Sequence, residues 1–263
     1  MTSFGSDDDL RGATFSRVRL HGADFRETNF SDSTFYDVSF AGATLREAYF
    51  AGARFVGASF EQAVIDGEVE GLVINGIEVG PLVEDELDRL NPGRDLLRSG
   101  APDDLRAAWG WLEQLWAATT AEALTRPDVV LRQRVDGEWS FLETLRHLVF
   151  ATDCWLGVGV LGRTTYHPLG LAGPWLDPAT CGLEVDAEPT VADVLEARSQ
   201  QQALVGDFLA TATAETLARE SAPAAGTAWP PPENQTALHR LHVILNEEWW
   251  HHRFAIRDLA QLP

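Results

Sequence analysis

The sequence contains no lysine, so arginine supplies all 20 of its basic residues, against 40 acidic ones. The resulting formal charge of −20 argues against non-specific binding to nucleic acid or to an anionic membrane, because both need a basic surface. Cysteine occurs only twice, at Cys154 and Cys181, which is too little for a disulfide framework. There is also no long apolar run and no signal-peptide pattern. These absences predict a reduced, cytoplasmic protein without nucleic-acid or membrane partners.

A period of five residues runs through the N-terminal third. Every fifth position holds a large apolar residue, namely Leu10, Phe15, Leu20, Phe25, Phe30, Phe35, Phe40, Leu45, Phe50, Phe55, Phe60 and Ile65. Small or β-branched residues stand two positions before most of these centres. Five fits neither a helix nor a strand, but it fits a square solenoid with one step per side.

This pattern resembles the pentapeptide-repeat family. The resemblance implies a right-handed quadrilateral β-helix, which we expect over residues 1–80 with short capping strands after Gly67. A docking or self-association surface is the favoured role. Mimicry of DNA by an acidic surface is less favoured, because residues 8–66 hold nine acids and six arginines. A helical linker is predicted over residues 81–101.

Helical periodicity dominates the remaining residues, 102–263. Four helices are predicted: the first over residues 103–125, the second after an N-cap at Ser140, the third after an N-cap at Thr190, and the fourth over 236–259. Long loops separate the last three. This pattern is typical of an all-α four-helix bundle, in which metal sites are built from facing helices.

The fourth helix carries two overlapping carboxylate–imidazole pairs, Glu247/His251 and Glu248/His252. Residues four apart lie on one helix face, so either pair can offer two ligands to one divalent ion. His147 on the second helix is the candidate third ligand. Glu248 and His252 fall within the apolar sector of the helix, where an acid needs a partner. A metal is one such partner, and an arginine such as Arg253 or Arg257 is another.

The segments WSFLETLRHL and LNEEWWHHRFAIRDL resemble the DinB family of metal-binding four-helix proteins. Its mycothiol-dependent maleylpyruvate isomerases use His, Glu and His ligands. Matching the family's His-Arg step to His252 gives the ligand set His147, Glu248 and His252. Matching on Asn246 instead gives Glu247 and His251, the second choice.

The resemblance implies a metal-dependent thiol S-transferase or thiol-dependent isomerase. Zinc is the expected metal, and the carboxylate ligand would also tolerate nickel or manganese. Mycothiol or bacillithiol would be the co-substrate, and the arginine-rich composition favours mycothiol. Near the site, Cys154, Asp153 and His167 are candidate supporting groups. The alternative is a non-enzymatic interaction module with a structural or vestigial metal site.

Overall fold

The computed structural model describes residues 4–5, 8–26, 28–45, 48–173, 176–184 and 187–263. Residues 27, 46 and 47 of the predicted repeat, and 174–175 and 185–186 of the long loop before the third helix, lie outside the described residues. The chain divides into two compact units, Met1–Ile65 and Asp66–Pro263.

The first unit turns at every fifth residue. Backbone φ is positive at Gly12, Arg17 and Gly22, and this spacing continues along the described repeats to Gly67. Every second corner is a hydrogen-bonded turn, as in the 3.0 Å bond from Ala13 N to Leu10 O. Glycine adopts positive φ without strain, which explains why it recurs at these corners.

The predicted closed β-helix is not present in the described part of this unit. No strand occurs there, and the central apolar side chains are 43–62% exposed. The rings instead contact their neighbours five residues away, as Phe25 and Phe30 do at 5.6 Å between centroids. The prediction of a quadrilateral β-helix is therefore corrected to a chain of regular corners whose apolar row is not covered by a further coil.

The second unit opens with a hairpin and a short helix. Strands β1 (Val73–Ile74) and β2 (Ile77–Glu78) pair with each other in antiparallel register. Helix α1 (Gly80–Leu90) follows, and a 3₁₀ turn (Arg94–Arg98) leads to the bundle. The structure thus groups the segments predicted as capping strands and linker with the helical unit.

Four long helices form the bundle: α2 (Pro102–Ala123), α4 (Phe141–Thr152), α5 (Val191–Thr211) and α7 (Ala237–Leu259). The short helices α3 (Asp128–Leu131) and α6 (Ala214–Ala218) lie in the connections. A further 3₁₀ turn spans Pro178–Cys181, and strands β3 (Glu220–Ser221) and β4 (Gln235–Thr236) pair antiparallel before α7.

Two core clusters fix the direction of these helices. Near one end, the start of α2 and of α7 packs on the end of α5, as Leu105, Leu241 and Leu209 show. Near the other end, Phe141 and Val191 at the starts of α4 and α5 pack together with Leu259. Helices α4 and α5 are therefore parallel to each other and antiparallel to α2 and α7, so a long crossover must join α4 to α5.

Local sequence explains where the two parallel helices begin. The Ser140 hydroxyl accepts from Glu143 N, and the Glu143 carboxylate accepts from Ser140 N, which completes a capping box. Thr190 and Asp193 form the same arrangement at α5. Both predicted N-caps are confirmed. The first bundle helix begins at Pro102, one residue before its predicted start, because proline is favoured in the first turn of a helix.

Helix α4 continues directly into a π-helical stretch, Asp153–Val158. Its wider ring is shown by the 2.9 Å bond from Gly159 N to Cys154 O, five residues back. Among the described residues, no helix has the length and apolar character needed to cross a membrane.

Candidate metal centre

His147, Glu247 and His251 come together between α4 and α7. One ligand atom from each residue lies within 4.8 Å of the other two. Glu247 Oε2 is 3.4 Å from His147 Nε2 and 3.2 Å from His251 Nδ1. The three side chains are 6%, 30% and 16% exposed in the order His147, Glu247, His251, so the cluster lies at a partly open edge of the bundle.

Backbone carbonyls orient both imidazoles. The carbonyl of Leu171 lies 3.0 Å from His147 Nδ1, which places the ring proton on that nitrogen. The other ring nitrogen, His147 Nε2, faces Glu247 Oε2. The carbonyl of Glu247 lies 2.9 Å from His251 Nδ1, one helical turn away. Hydrogen bonds of this kind fix the tautomer and the ring orientation of metal-binding histidines.

The electrostatics of the cluster favour an anionic Glu247 carboxylate beside a neutral His251 imidazole. Burial, followed by the charge of His147, lowers the pKa of His251 to about 4, so its ring is neutral at neutral pH. Burial works against ionisation of Glu247. The hydrogen bond of His147 and the charges of His251 and His147 together outweigh burial and leave the pKa of Glu247 below its usual value. Neutral histidine and ionised carboxylate are the forms that bind a divalent ion.

The side chain of Trp139 packs against both imidazoles. Its ring centroid is 4.5 Å from that of His147 and 6.1 Å from that of His251. Phe254, one turn after His251, lies on another side at 5.9 Å. Two aromatic rings thus border the imidazoles and limit the access of water to them.

The structure does not bring Glu248 and His252, the pair preferred from the sequence, to His147. Glu248 is 1% exposed and forms a buried ion pair with Arg198 of α5. His252 Nε2 is 2.9 Å from Thr119 Oγ1 of α2, and its ring meets the edge of Trp116. Each side chain therefore has its own partner deep in the core. The described structure thus brings His147 together with the second-choice pair, Glu247 and His251, and not with Glu248 and His252.

Residues 101–255 match the family model of the DinB superfamily, which covers more than half of the chain. The chain belongs to the DinB superfamily. Residues 6–44 and 33–67 match models of pentapeptide repeats, so the fusion predicted from the sequence is confirmed. Comparison with curated proteins and with solved structures gives no match.

The DinB domain also shows where the predicted supporting groups lie. Cys154 is fully buried in a cluster with Phe150 and Cys181, and burial raises the pKa of its thiol well above the usual value. Asp153 accepts hydrogen bonds from His167 N at 2.7 Å and from Gln201 Nε2 at 3.0 Å. None of these three candidates belongs to the metal cluster found in the described residues.

Sequence reasoning missed three groups that matter to this DinB domain. Arg198 is the partner of Glu248, whereas the sequence suggested a metal ion or, as the alternative, Arg253 or Arg257. Trp139 lies in a loop, and the carbonyl of Leu171 belongs to the crossover between α4 and α5.

Proposed function

We propose that the chain is a divalent-metal-dependent thiol S-transferase or thiol-dependent isomerase of the DinB type. The observation that carries the proposal is the convergence of His147, Glu247 and His251 at a partly open edge of the bundle. Among the described residues the cluster has three members. Three protein ligands are typical of a catalytic site, because a structural zinc site is closed by four.

The donor set fits a divalent ion. Glu248 and Glu247 are adjacent acids on α7, yet only Glu248 has an arginine partner. Glu247 faces two imidazoles whose Nδ1 atoms both lie at backbone carbonyls, and a cation would neutralise it. Zinc suits two imidazoles and one carboxylate, and the carboxylate also suits nickel or manganese.

A divalent ion bound there would supply Lewis acidity that lowers the pKa of a thiol or of water at the open position. The chain's own residues supply orientation and exclusion of water. The Leu171 carbonyl holds the His147 ring, and the indole of Trp139 packs on both imidazoles. Phe254 borders His251 and leaves less room for water.

Mycothiol or bacillithiol is the proposed co-substrate, with mycothiol favoured. Membership of the DinB superfamily supports a thiol substrate, and the open edge supports access for one. In a transfer reaction, the S–C bond forms as the electrophile loses its leaving group. The thiol loses its proton to solvent before this step, so that the thiolate is the nucleophile and atoms and charge balance.

The second candidate is a protein-interaction module with a structural or vestigial metal site. It is favoured by the repeat unit, where a row of apolar side chains stays 43–62% exposed. We propose that this row serves docking or self-association in either case. The two candidates differ only in whether the bundle performs chemistry.

A thiol-consumption assay separates them. Metal-loaded protein is mixed with mycothiol or bacillithiol and monochlorobimane, and formation of the fluorescent thioether is followed as C–Cl breaks and chloride leaves. An enzyme should exceed the rate of a His251→Ala variant by several orders of magnitude. Equal rates for the two proteins, with both thiols and several electrophiles, would favour the interaction module.

A further inference from the structure

Apart from the candidate metal centre, the bundle has a cleft at the end where α4 and α5 both begin. It is lined by Arg132, Ser140, Glu143 and Arg146 on one side and by residues 187–189 on the other. Two guanidinium groups therefore face one cleft, in a chain whose formal charge is −20.

Neither arginine is neutralised by an acid in the described part of the chain. Arg132 Nη2 donates to the carbonyl of Pro189. Arg146 donates from Nε to Leu169 O at 2.9 Å and from Nη2 to Glu184 O at 3.2 Å. Backbone carbonyls fix the direction of a guanidinium without cancelling its charge. Burying a charged group without an anionic partner is unfavourable, and this cost applies to Arg146, which is buried.

Of the two guanidinium groups, that of Arg146 is better placed to bind a ligand in the cleft. It is 8% exposed, and its Nη1 has no acceptor among the residues that the structure describes. Burial lowers the pKa of Arg146. The negative charge of Glu143 raises this pKa, and the positive charge of Arg132 lowers it further. The two guanidiniums are therefore close enough to repel each other, which an anion between them would relieve.

The acids that line the cleft do not pair with Arg132 or Arg146. Glu143 is held by Arg134, with Nε at 2.9 Å from Oε2, and it also accepts from Ser140 N. Glu188 is exposed and forms no ion pair with Arg132 or Arg146 in the described structure. Neither of these two acids therefore forms an ion pair with Arg132 or Arg146 among the described residues.

Helix geometry adds to the positive potential. Helices α4 and α5 begin beside the cleft and are parallel, so the positive ends of both helix dipoles point the same way.

We propose that this cleft binds a small oxyanion, a phosphate or carboxylate group, between Arg132 and Arg146. Planar guanidinium forks match both groups in geometry and charge. The proposal is independent of the metal site, although the two are neighbours: Leu171 N donates to Arg146 O at 3.1 Å, while Leu171 O lies 3.0 Å from His147 Nδ1.

Titration calorimetry on the full chain tests the site. Inorganic phosphate and acetate are each titrated at an ionic strength held constant with sodium chloride. We expect saturable binding of at least one of them, with the tighter anion identifying the group. Arg132→Gln should weaken this binding about tenfold or more, as loss of a charged hydrogen-bonding group does. Arg132 is exposed, so this variant should keep the fold.

Two matched variants complete the design. Arg219→Gln removes the same charge from an exposed arginine elsewhere and should bind as the wild type does. His251→Ala should also bind as the wild type does, which excludes binding to a metal at the other site. Absence of saturable binding by both anions would overturn the proposal. Equal weakening in Arg132→Gln and Arg219→Gln, or loss confined to His251→Ala, would overturn it too.

Discussion

The guanidinium of Arg198 on α5 donates to the carboxylate of Glu248 on α7, and both side chains are almost fully buried. Glu248 lies in the apolar sector of α7, and a buried acid needs a partner. Arg198 is that partner. This ion pair also explains why the neighbouring acid, Glu247, is the one left facing imidazoles. The pairing of α5 with α7 therefore decides which carboxylate is free for a metal.

Removing Arg198 should destabilise the fold in a pH-dependent way. Burial already raises the pKa of Glu248, and the charge and hydrogen bond of Arg198 only partly oppose it. In Arg198→Met we expect a loss of about 3–5 kcal/mol in the free energy of unfolding near neutral pH. The unpaired acid then binds its proton more tightly when folded than when unfolded. Its stabilising protonation is lost as pH rises, so the penalty should be larger at about pH 8 than at about pH 5.

Urea unfolding of four proteins measures this effect: the wild type, Arg198→Met, Glu248→Gln and the double variant. Glu248→Gln in the Arg198→Met background should restore part of the stability. It should also remove the pH dependence of the penalty that Arg198→Met causes. A penalty that is the same at both pH values, with no rescue in the double variant, would show that Glu248 is not the buried partner of Arg198.

Substitution of Gly159 should destabilise the fold because a side chain there has no room. The backbone conformation of Gly159 is not the reason. Its φ of −70° suits any residue. A Cβ there would lie 2.6 Å from Trp155 O and 2.7 Å from Nη1 of the fully buried Arg240. We expect Gly159→Ala to lower the free energy of unfolding by about 1–3 kcal/mol, the usual cost of overpacking.

Gly110 on α2 provides the matched control. A Cβ at Gly110 meets nothing within 4 Å, so Gly110→Ala should raise the free energy of unfolding by about 0.5–1 kcal/mol through helix propensity. Equal effects of the two substitutions in thermal unfolding would contradict the packing around Arg240.

Asp153 should make the protein less stable as pH rises. Burial raises the pKa of this carboxyl above its usual value, although His167 N, the charges of His167 and Arg163, and Gln201 oppose the effect. The folded state thus holds the proton more tightly than the unfolded state. The associated stability is present below the ordinary carboxyl pKa, about 4, and is lost as pH rises through the higher folded value.

Asp153→Asn removes that titration and keeps an acceptor for His167 N. Gln201 Oε1 is buried without a partner among the described residues, so a rotated Gln201 amide can accept from the new Asn amide. The stability of the variant relative to the wild type should therefore increase as pH rises from about 4 through the folded pKa of Asp153, and should level off above it. Parallel unfolding curves with a constant difference across this range would refute the assignment.

Local signals in the sequence were sufficient for the bundle. The capping residues Ser140 with Glu143, and Thr190 with Asp193, act within four residues of chain, so their helix starts could be read directly. The five-residue period likewise predicted one turn per five residues, and the structure has these turns at positions such as Gly12 and Gly22. Closure of these corners into a β-helix depends on contacts between coils, which the period alone does not contain.

The ligand set was harder to predict because its alternatives differ by one residue. Glu247 and Glu248 are both four residues from a histidine, and only the partner on α5 tells them apart. Arg198 belongs to a helix that joins α7 only in the folded state. The Leu171 carbonyl, which orients His147, comes from the crossover loop and has no sequence signature.

Metal content after purification without added metal is the most direct test of the proposed centre. Elemental analysis of the wild type should find about one equivalent of a divalent ion. His251→Ala and Glu247→Ala should lose it, whereas His252→Ala should keep it, because His252 contacts Thr119 and not the cluster. Retention of the metal in His251→Ala together with its loss in His252→Ala would contradict the account.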